Sequence, residues 1–190
     1  MKLFLLFAAA LVPSLSVQAE EPDSLALRHL DEAVIKSVKA PTDAPYATTR
    51  LRQADLEQFS STASELPHLF SRTPGVISWS ENGLDSGTSS MRIRGSADSR
   101  INVTLDGVPL NSPEDQCVFW ANTSSYAALL QGIQIQRGVG TSTNGDGAFG
   151  GSIALQSRTP SLTPGLTLTG SYGSYNTWRV GGDLSSGLLL

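Results

Sequence analysis

Cysteine and histidine are nearly absent from this sequence. The 190 residues include one cysteine, Cys117, and two histidines, His29 and His68. A single cysteine excludes an internal disulfide and a cysteine-based metal cluster, and the two histidines lie far apart with no acidic pair at ligand spacing. We also find no acid, base and nucleophile that would converge in an active site. We therefore predict no metal site, no cofactor and no enzymatic activity.

An excess of positive charge is also missing. Removal of a leader ending at Ala19 takes away one of the 13 basic residues and none of the 17 acidic ones, which leaves a net charge of about −5. Nucleic-acid-binding domains present a basic surface to the phosphate backbone. We therefore expect no nucleic-acid partner.

Long hydrophobic runs are absent beyond the N-terminus. Lys2 precedes an apolar run over residues 3–12, which ends at Pro13 and is about half of the roughly 20 residues that a membrane-spanning helix needs. Small residues then lead to Ala19. This pattern predicts a secretory signal peptide over residues 1–19. Because no cysteine follows the cleavage site, we expect an exported chain without a lipid anchor.

Residues 20–45 mix charges, prolines and short aliphatic groups without a helical or strand period, which is typical of a mobile leader. Within it, Ala33, Val34 and Ile35 stand between charged residues. A short apolar stretch of this kind can pair with the edge of a partner's sheet. It can equally be the first strand of the domain that follows, and composition alone leaves both interpretations open.

Residues 46–157 have the pattern of a compact α+β domain. Helices are expected at 53–59 and, capped by Ser64, at 64–70. Short strand-like runs predict strands at 76–79, 91–95, 101–105, 108–110, 133–135 and 153–155, and the apolar residues alternate strictly over 91–95 and 101–105. In the predicted strand 91–95, Met91 and Ile93 face one side and two arginines face the other. Asp106-Gly107 between two apolar runs predicts a two-residue hairpin turn.

The glycine-rich segment 138–151 contains a match to the dinucleotide pattern G-x-G-x-x-G at residues 145–150. That motif must open a helix to bind phosphates, whereas residues 151–155 alternate as a strand. We interpret these glycines as sites of close backbone approach and tight turning. Replacing Gly150 and Gly151 with valine should destabilise the domain.

Residues 158–190 alternate in a different style. Leu166, Leu168 and Tyr172 share one face of a predicted strand, and after a turn near Gly173 the apolar side chains of Trp178, Val180 and Leu184 alternate with polar ones. Lipid-facing strands of a β-barrel have this pattern. A two-stranded soluble hairpin is the alternative, although such a hairpin is only marginally stable alone.

These landmarks together resemble the TonB-dependent outer-membrane receptors. Residues 30–37 look like a TonB box, although Ala33, Lys36 and Ser37 depart from its commonest form. The following motifs are similar to the family's plug signatures and keep their order: the Pro-Gly-Val at 74–76, the Ile-Arg-Gly at 93–95, the Asp-Gly hairpin at 101–110, and the segments 133–138 and 147–153.

The resemblance implies an α+β plug domain with a small mixed sheet and short helices. It implies a leader with a TonB box at 20–45, a plug at 46–157 and the first two antiparallel strands of an incomplete transmembrane β-barrel at 158–190. Barrels of about 22 strands, at roughly 9 to 11 residues each, need many more residues. We therefore expect a truncated reading frame or a fragment of a receptor in the outer membrane of a Gram-negative bacterium.

By the same resemblance, TonB in the periplasm would bind Glu32, Ala33, Val34, Ile35 and Lys36, and Arg92 and Arg94 would pair with carboxylates of the missing barrel. The polar loops 80–90 and 111–122 would face the ligand, most simply a ferric siderophore, with haem, cobalamin or glycans as other cargoes of the family. The residues expected there are Trp79, Glu81, Asn82, Asp85, Glu114, Asp115, Phe119 and Trp120. An aromatic side chain packed under its own loop is an equally good interpretation, and a soluble periplasmic or secreted binding module is the alternative function.

Overall fold

A computed structural model of the chain describes residues 46–60, 64–124, 126–139 and 148–187, all within one unit, Glu32–Leu190. The predicted signal peptide and the predicted TonB box, including Glu32, Ala33, Val34, Ile35 and Lys36, lie outside the described residues. Two α-helices, ten strands and several short 3₁₀ turns make up the described part of the chain.

The main sheet is mixed and has five strands in the order β1-β7-β8-β5-β6. Strands β5 and β8 pair in parallel, and the other neighbours are antiparallel. Strand β5 lies between two others and is buried on both faces over Ile101–Thr104. The strands are β1 (Thr48–Arg52), β5 (Ile101–Leu105), β6 (Val108–Pro109), β7 (Leu130–Arg137) and β8 (Gly151–Ser157).

A second sheet of three antiparallel strands has the order β2-β3-β4. Its strands are β2 (Val76–Ser80), β3 (Ser89–Ile93) and β4 (Ser96–Ala97). Met91 and Ile93 are buried as the alternation predicts. The predicted strand 91–95 is wrong at its end, because Arg94 and Gly95 both have positive φ, 49° and 83°. They form the tight turn that joins β3 to β4.

Helix α1 (Gln53–Ser60) buries Leu56 and Phe59, and the carboxylate of Asp55 accepts a 2.9 Å hydrogen bond from the N–H of Arg52 at its start. Helix α2 (Leu66–Phe70) carries Pro67 in its first turn, where a missing N–H costs little. The prediction that Ser64 caps this helix is wrong. Its N-cap is Glu65, which makes no side-chain capping bond.

The hydrophobic core lies between the helices and the two sheets, and its members come from elements throughout the domain. The Asp106-Gly107 hairpin is confirmed, since Leu105 pairs with Val108 and both turn residues have positive φ, 49° and 88°, as a type I′ turn requires. The largest buried core side chains are Trp120, Phe70, Leu56, Leu66, Leu69, Met91, Ile93, Ile101, Leu130, Ile135 and Ile153.

Strands β9 (Gly165–Tyr172) and β10 (Trp178–Ser185) form a separate antiparallel pair. They are joined by a short 3₁₀ turn, Ser174–Asn176. Cross-strand register places Trp178 opposite Tyr172 and Leu184 opposite Leu166. Six large apolar side chains of the pair share one face, and each is 65–82% exposed: Leu166, Leu168, Tyr172, Trp178, Val180 and Leu184.

None of the helices in the described ranges is both long enough and apolar enough to cross a bilayer.

Candidate functional site

The loop between β2 and β3, residues 81–88, is attached to the start of α2 by Glu65. The Glu65 N–H donates to the carbonyl of Asp85 at 2.9 Å, and its Oε1 accepts the N–H of Gly87 at 2.6 Å. Glu65 as a whole is 1% exposed. Within the described part of the chain, its other oxygen is buried without a hydrogen-bond partner. A buried acceptor of this kind favours one loop conformation, because leaving an amide unpaired in the interior costs free energy.

His68 ties the same loop to the helix from the next turn. Its Nδ1 lies 3.3 Å from a carboxylate oxygen of Asp85, and its Nε2 lies 3.2 Å from the hydroxyl of Ser89. Asp85 has a positive φ of 59°. No sequence pattern pointed to a role for His68 or Glu65 in holding this loop. A glutamate directly before an apolar helix was the one available signal.

The predicted ligand residues of this first loop are displayed outward. Glu81, Asn82 and Asp85 are exposed. Asn82 shapes the loop from within, because its side-chain oxygen accepts the N–H of Leu84 at 2.9 Å and its amide nitrogen donates to the carbonyl of Ser86. The loop is therefore held in shape while its acidic side chains face solvent.

The second loop, residues 111–119, is anchored by one side chain. Asn111 accepts the N–H of Val103 at 2.8 Å, and its amide nitrogen donates to the carbonyls of Ile101, at 2.9 Å, and Gln116, at 2.7 Å. Glu114 and Asp115 are exposed. The amide of Asn111 thus attaches the loop to the central strand β5, while Glu114 and Asp115 stay exposed.

The two aromatic residues at the end of this loop have different environments. Phe119 is 61% exposed, whereas Trp120 is 2% exposed. The Trp120 ring packs edge-to-face on Phe70 with 5.5 Å between ring centres. The prediction that Trp120 faces a ligand is therefore wrong, because its ring fills the core beneath the loop. Phe119 remains a candidate for ligand contact.

A cleft of about 450 Å³ separates the first loop from the turn of the β9–β10 hairpin. Leu84 and Asp85 line one side, and Tyr172, Ser174 and Tyr175 line the other. Loop 81–88 and the hairpin turn therefore lie at the same end of the molecule.

The arginines predicted to contact a barrel lie in two different places. Arg92 is exposed on the outer face of the three-stranded sheet, with its guanidinium carbon 5.8 Å from the centre of the Trp79 ring. The N–H of Arg94 donates to the carbonyl of Gly75 at 2.7 Å. Arg137, which no sequence pattern marked as a contact residue, donates from Nη1 to the carbonyl of Pro74, next to Gly75, at 2.8 Å.

Cys117 is a half-buried thiol that donates weakly to the carboxylate of Asp98 at 3.5 Å. Burial raises the pKa of this thiol from 9.0 to about 11, with Asp98 and Asp115 adding to the shift. Because the folded pKa lies above the unfolded one, the thiol supports folding up to about pH 9, and that support is lost as the pH rises towards 11.

We expect Cys117 to react slowly with iodoacetamide at pH 8, at about one hundredth of the rate of the unfolded chain, because only the thiolate is nucleophilic. Mass spectrometry at timed intervals measures the rate. A profile of the reaction rate against pH separates a raised thiol pKa from poor access of the reagent to the thiol. A raised pKa moves the inflection of this profile towards pH 11. An inflection near pH 9 for the folded protein would contradict the raised pKa. The Asp98→Asn substitution should move the inflection to lower pH.

Comparison with known proteins identifies the family that has this arrangement of sheets, helices and loops. The family model described as the TonB-dependent receptor plug domain matches residues 40–152. This chain belongs to that family. The match includes four strands of the five-stranded sheet and the start of β8, the three-stranded sheet, both helices and both candidate loops.

Solved structures share the fold of this plug domain. The ferric yersiniabactin uptake receptor FyuA from Yersinia pestis matches with a TM-score of 0.54 and 20% identity over 76% of this chain and 22% of that one. FpvA of P. aeruginosa, solved with heterologous pyoverdines, matches with a TM-score of 0.59 and 20% identity over 78% of this chain and 19% of that one. The siderophore receptor PiuA from Acinetobacter baumannii matches with a TM-score of 0.56 and 18% identity over 78% of this chain and 20% of that one. The chain thus spans about a fifth of the length of these structures.

Proposed function

We propose that this chain supplies the plug domain and the first two barrel strands of a TonB-dependent outer-membrane receptor for energised uptake of a scarce nutrient, most simply a ferric siderophore. The observation that carries the proposal is the two-sided β9–β10 hairpin beside a plug domain. One of its faces is apolar and exposed, and the other is polar and turned towards the plug.

The apolar face supports a membrane position. Its six exposed side chains would meet water in a soluble module, at a cost of about 25 cal/mol for each Å² left unburied. In an outer-membrane barrel the same side chains contact lipid. Tyr172 and Trp178, which pair at the turn end, would then lie at the aromatic girdle near the bilayer surface.

The polar face supports a lumen position. Asp183 of β10 lies 3.6 Å from the guanidinium of Arg158, which follows the last plug strand. Thr167, Thr169 and Arg179 line a cleft of about 450 Å³ against helix α1 and residues 127–130. Alternation of lipid-facing and lumen-facing side chains is the organising rule of such barrels.

The leader would couple the receptor to its energy source through TonB. On this proposal, residues 32–36 bind TonB in the periplasm by adding a strand to its sheet, and loops 80–90 and 111–122 face the ligand on the outside. Backbone hydrogen bonds along an extended segment supply the affinity in that mode of binding. The siderophore proposal draws on the named ligands of FyuA and FpvA and on the description of PiuA.

The proposal is tested with the full-length receptor in a Gram-negative host, with or without TonB. Cells receive ⁵⁵Fe bound to a catecholate, a hydroxamate or an α-hydroxycarboxylate chelate, and surface binding at 0 °C is compared with accumulation at 37 °C. We expect one chelate class to bind saturably in both hosts and to accumulate only where TonB is present. Equal accumulation without TonB would contradict the proposal.

The alternative of a soluble binding module predicts a different fractionation. Such a protein would appear in the periplasm or the medium and would bind its ligand without TonB-dependent accumulation. Recovery of the receptor in the outer-membrane fraction, resistant to extraction at high salt, is expected on the transporter proposal.

A further inference from the structure

The segments proposed to face the ligand carry charge of one sign. Residues 80–90 and residues 111–122 each contain two acidic residues and no Lys, Arg or His, and residues 172–177 at the turn of the β9–β10 hairpin contain no charged residue. The chain has 13 basic residues in all, so that their absence here is a matter of placement. Such a surface attracts cations and repels anions. The acidic side chains of the two loops are all exposed: Glu81, Asp85, Glu114 and Asp115.

The cleft between loop 81–88 and the hairpin turn is called the loop cleft below. Asp85 gives its wall a carboxylate, and Ser174 adds a hydroxyl. Leu84 and Tyr175 add apolar side chains that are 54% and 86% exposed. None of the described residues that line the cleft is basic. Its volume of about 450 Å³ is in the usual range for a site that holds a small molecule.

Asp85 is held in place at the wall of this cleft. Its carbonyl accepts the N–H of Glu65 at 2.9 Å, and one of its carboxylate oxygens lies 3.3 Å from Nδ1 of His68. The His68 side chain is 13% exposed and that of Asp85 is 60% exposed, so the imidazole lies behind a carboxylate that still reaches solvent. Across the cleft, Tyr175 has a positive φ of 56°, which is uncommon for a bulky residue and is found most often at functional sites.

A carboxylate and an aromatic ring in one cleft are the groups that bind an ammonium ion, through a charge-assisted hydrogen bond and a cation–π contact. Leu84 would contact an alkyl chain that leads to the ammonium. Ferric chelates differ in charge. Three catecholates leave the iron complex with three negative charges, whereas three hydroxamates, each of which loses one proton, neutralise Fe³⁺. A linear trihydroxamate that ends in a primary amine is therefore a cation when it carries iron.

We propose that the cargo is a ferric trihydroxamate whose aminoalkyl end lies in the loop cleft, with its ammonium group between Asp85 and Tyr175. This rests on the proposed function and names the chelate class that the proposed function leaves open. A carboxylate in contact with an ammonium group in water changes the affinity by about fivefold. The other exposed carboxylates of the two loops add a negative potential, which lowers the affinity for every anionic chelate.

The test uses three chelates that differ only at one end. A linear trihydroxamate with a free amine is compared with its neutral N-acetyl derivative and its anionic N-succinyl derivative, each loaded with ⁵⁵Fe. Binding to the full-length receptor on cells without TonB is measured at 0 °C and at pH 8, above the range in which histidine side chains usually titrate. We expect the affinity to fall about fivefold from the amine to the N-acetyl form and to fall again for the N-succinyl form. A ferric tris-catecholate should bind more weakly than all three.

The Asp85→Asn variant tests whether the loop cleft is the source of this preference. The amide keeps the shape of the side chain without its charge, so the ratio of the affinities for the amine and N-acetyl forms should approach one. Both chelates bind to the same receptor, so a loss of folded receptor lowers the binding of both and leaves the ratio unchanged. Glu57→Gln is the matched control, because Glu57 is an exposed carboxylate of helix α1 that lines the other cleft. This control should keep the parent's ratio.

Failure of this inference differs from failure of the proposed function. Equal binding of the three hydroxamate forms, or tighter binding of the tris-catecholate, would overturn the inference, while TonB-dependent accumulation of the preferred chelate would still support the proposed function. An unchanged ratio in Asp85→Asn would place the preference elsewhere in the receptor and overturn the assignment to the loop cleft. If no chelate of any class accumulates in a TonB-dependent way, the proposed function and this inference are both wrong.

Discussion

Ile35→Pro in the full-length receptor should abolish energy-dependent uptake and leave surface binding of the ligand intact. Proline removes a backbone donor and fixes φ, so it interrupts a strand that residues 32–36 would add to the sheet of TonB. Loss of one buried backbone hydrogen bond is enough to weaken that pairing by about tenfold or more. The measurement is accumulation of the ⁵⁵Fe chelate at 37 °C beside binding at 0 °C.

Ile35→Val is the matched control, because it keeps the backbone donor and the β-branched side chain, and uptake should equal that of the parent. The same pair of variants separates the two interpretations of residues 33–35. If this segment is instead a strand of the plug domain, the proline variant should also lower the melting temperature and the binding. Equal uptake by Ile35→Pro and the parent would mean that TonB binds elsewhere.

Gly151→Ala should destabilise the plug domain by about 1–3 kcal/mol, the usual cost of forcing extra atoms into a packed interior. A Cβ at this position would collide with the carbonyl oxygen of Gln136 on the neighbouring strand and would lie 3.2 Å from Cδ1 of Ile93. A backbone oxygen within a sheet ladder cannot move aside as a flexible side chain can. Urea unfolding of the full chain, followed by circular dichroism, measures the change.

Gly132→Ala provides a control within the same pair of strands. Its Cβ would meet the nearest atoms at 3.5 and 3.7 Å, which is ordinary contact, so the free energy of unfolding should change by less than about 0.5 kcal/mol. Equal midpoints for Gly151→Ala and the parent would show that the strand contact at Gly151 is not required. Gly150→Ala should resemble Gly151→Ala, since its Cβ would lie 2.5 Å from that of Ser96.

The physical reason at Gly150 and Gly151 is the close backbone approach expected from the sequence, and not a positive φ. A glycine-rich run invites an argument from positive φ, but φ of Gly151 is 159°, close to the extended range open to other residues. The requirement comes from neighbouring strands that approach too closely for a side chain. Such proximity depends on sheet order, which places β8 between β7 and β5.

Local chemistry made several elements of the fold predictable. Alternation over 101–105 marked a strand, because successive side chains of a strand point to opposite sides. Asp106-Gly107 marked a type I′ turn, because both residues tolerate positive φ. Pro67 is tolerated in the first turn of its helix for a reason that is equally local. None of these inferences needs knowledge of distant residues.

The environments of the candidate site residues depended on distant partners. Trp120 and Phe119 are adjacent and both aromatic, yet only Trp120 enters the core, because Phe70, fifty residues earlier, offers its ring an edge-to-face contact. Glu65 holds Gly87 from 22 residues away. The local sequence pattern and composition are the same whether such a residue is buried in the core or exposed to solvent.

The sequence by itself determined most of the strands, the Asp-Gly hairpin, the two short helices and the resemblance to plug domains, since each depends on the order of nearby residues. Only the tertiary structure decided that Arg94 lies in a turn while Arg92 stacks on Trp79, and that Glu65 anchors a loop that it does not adjoin. The physical reason is that burial and hydrogen-bond partners are properties of the packed chain. They arise when elements far apart in sequence come into contact, and the periodicity within one element carries no information about such contacts.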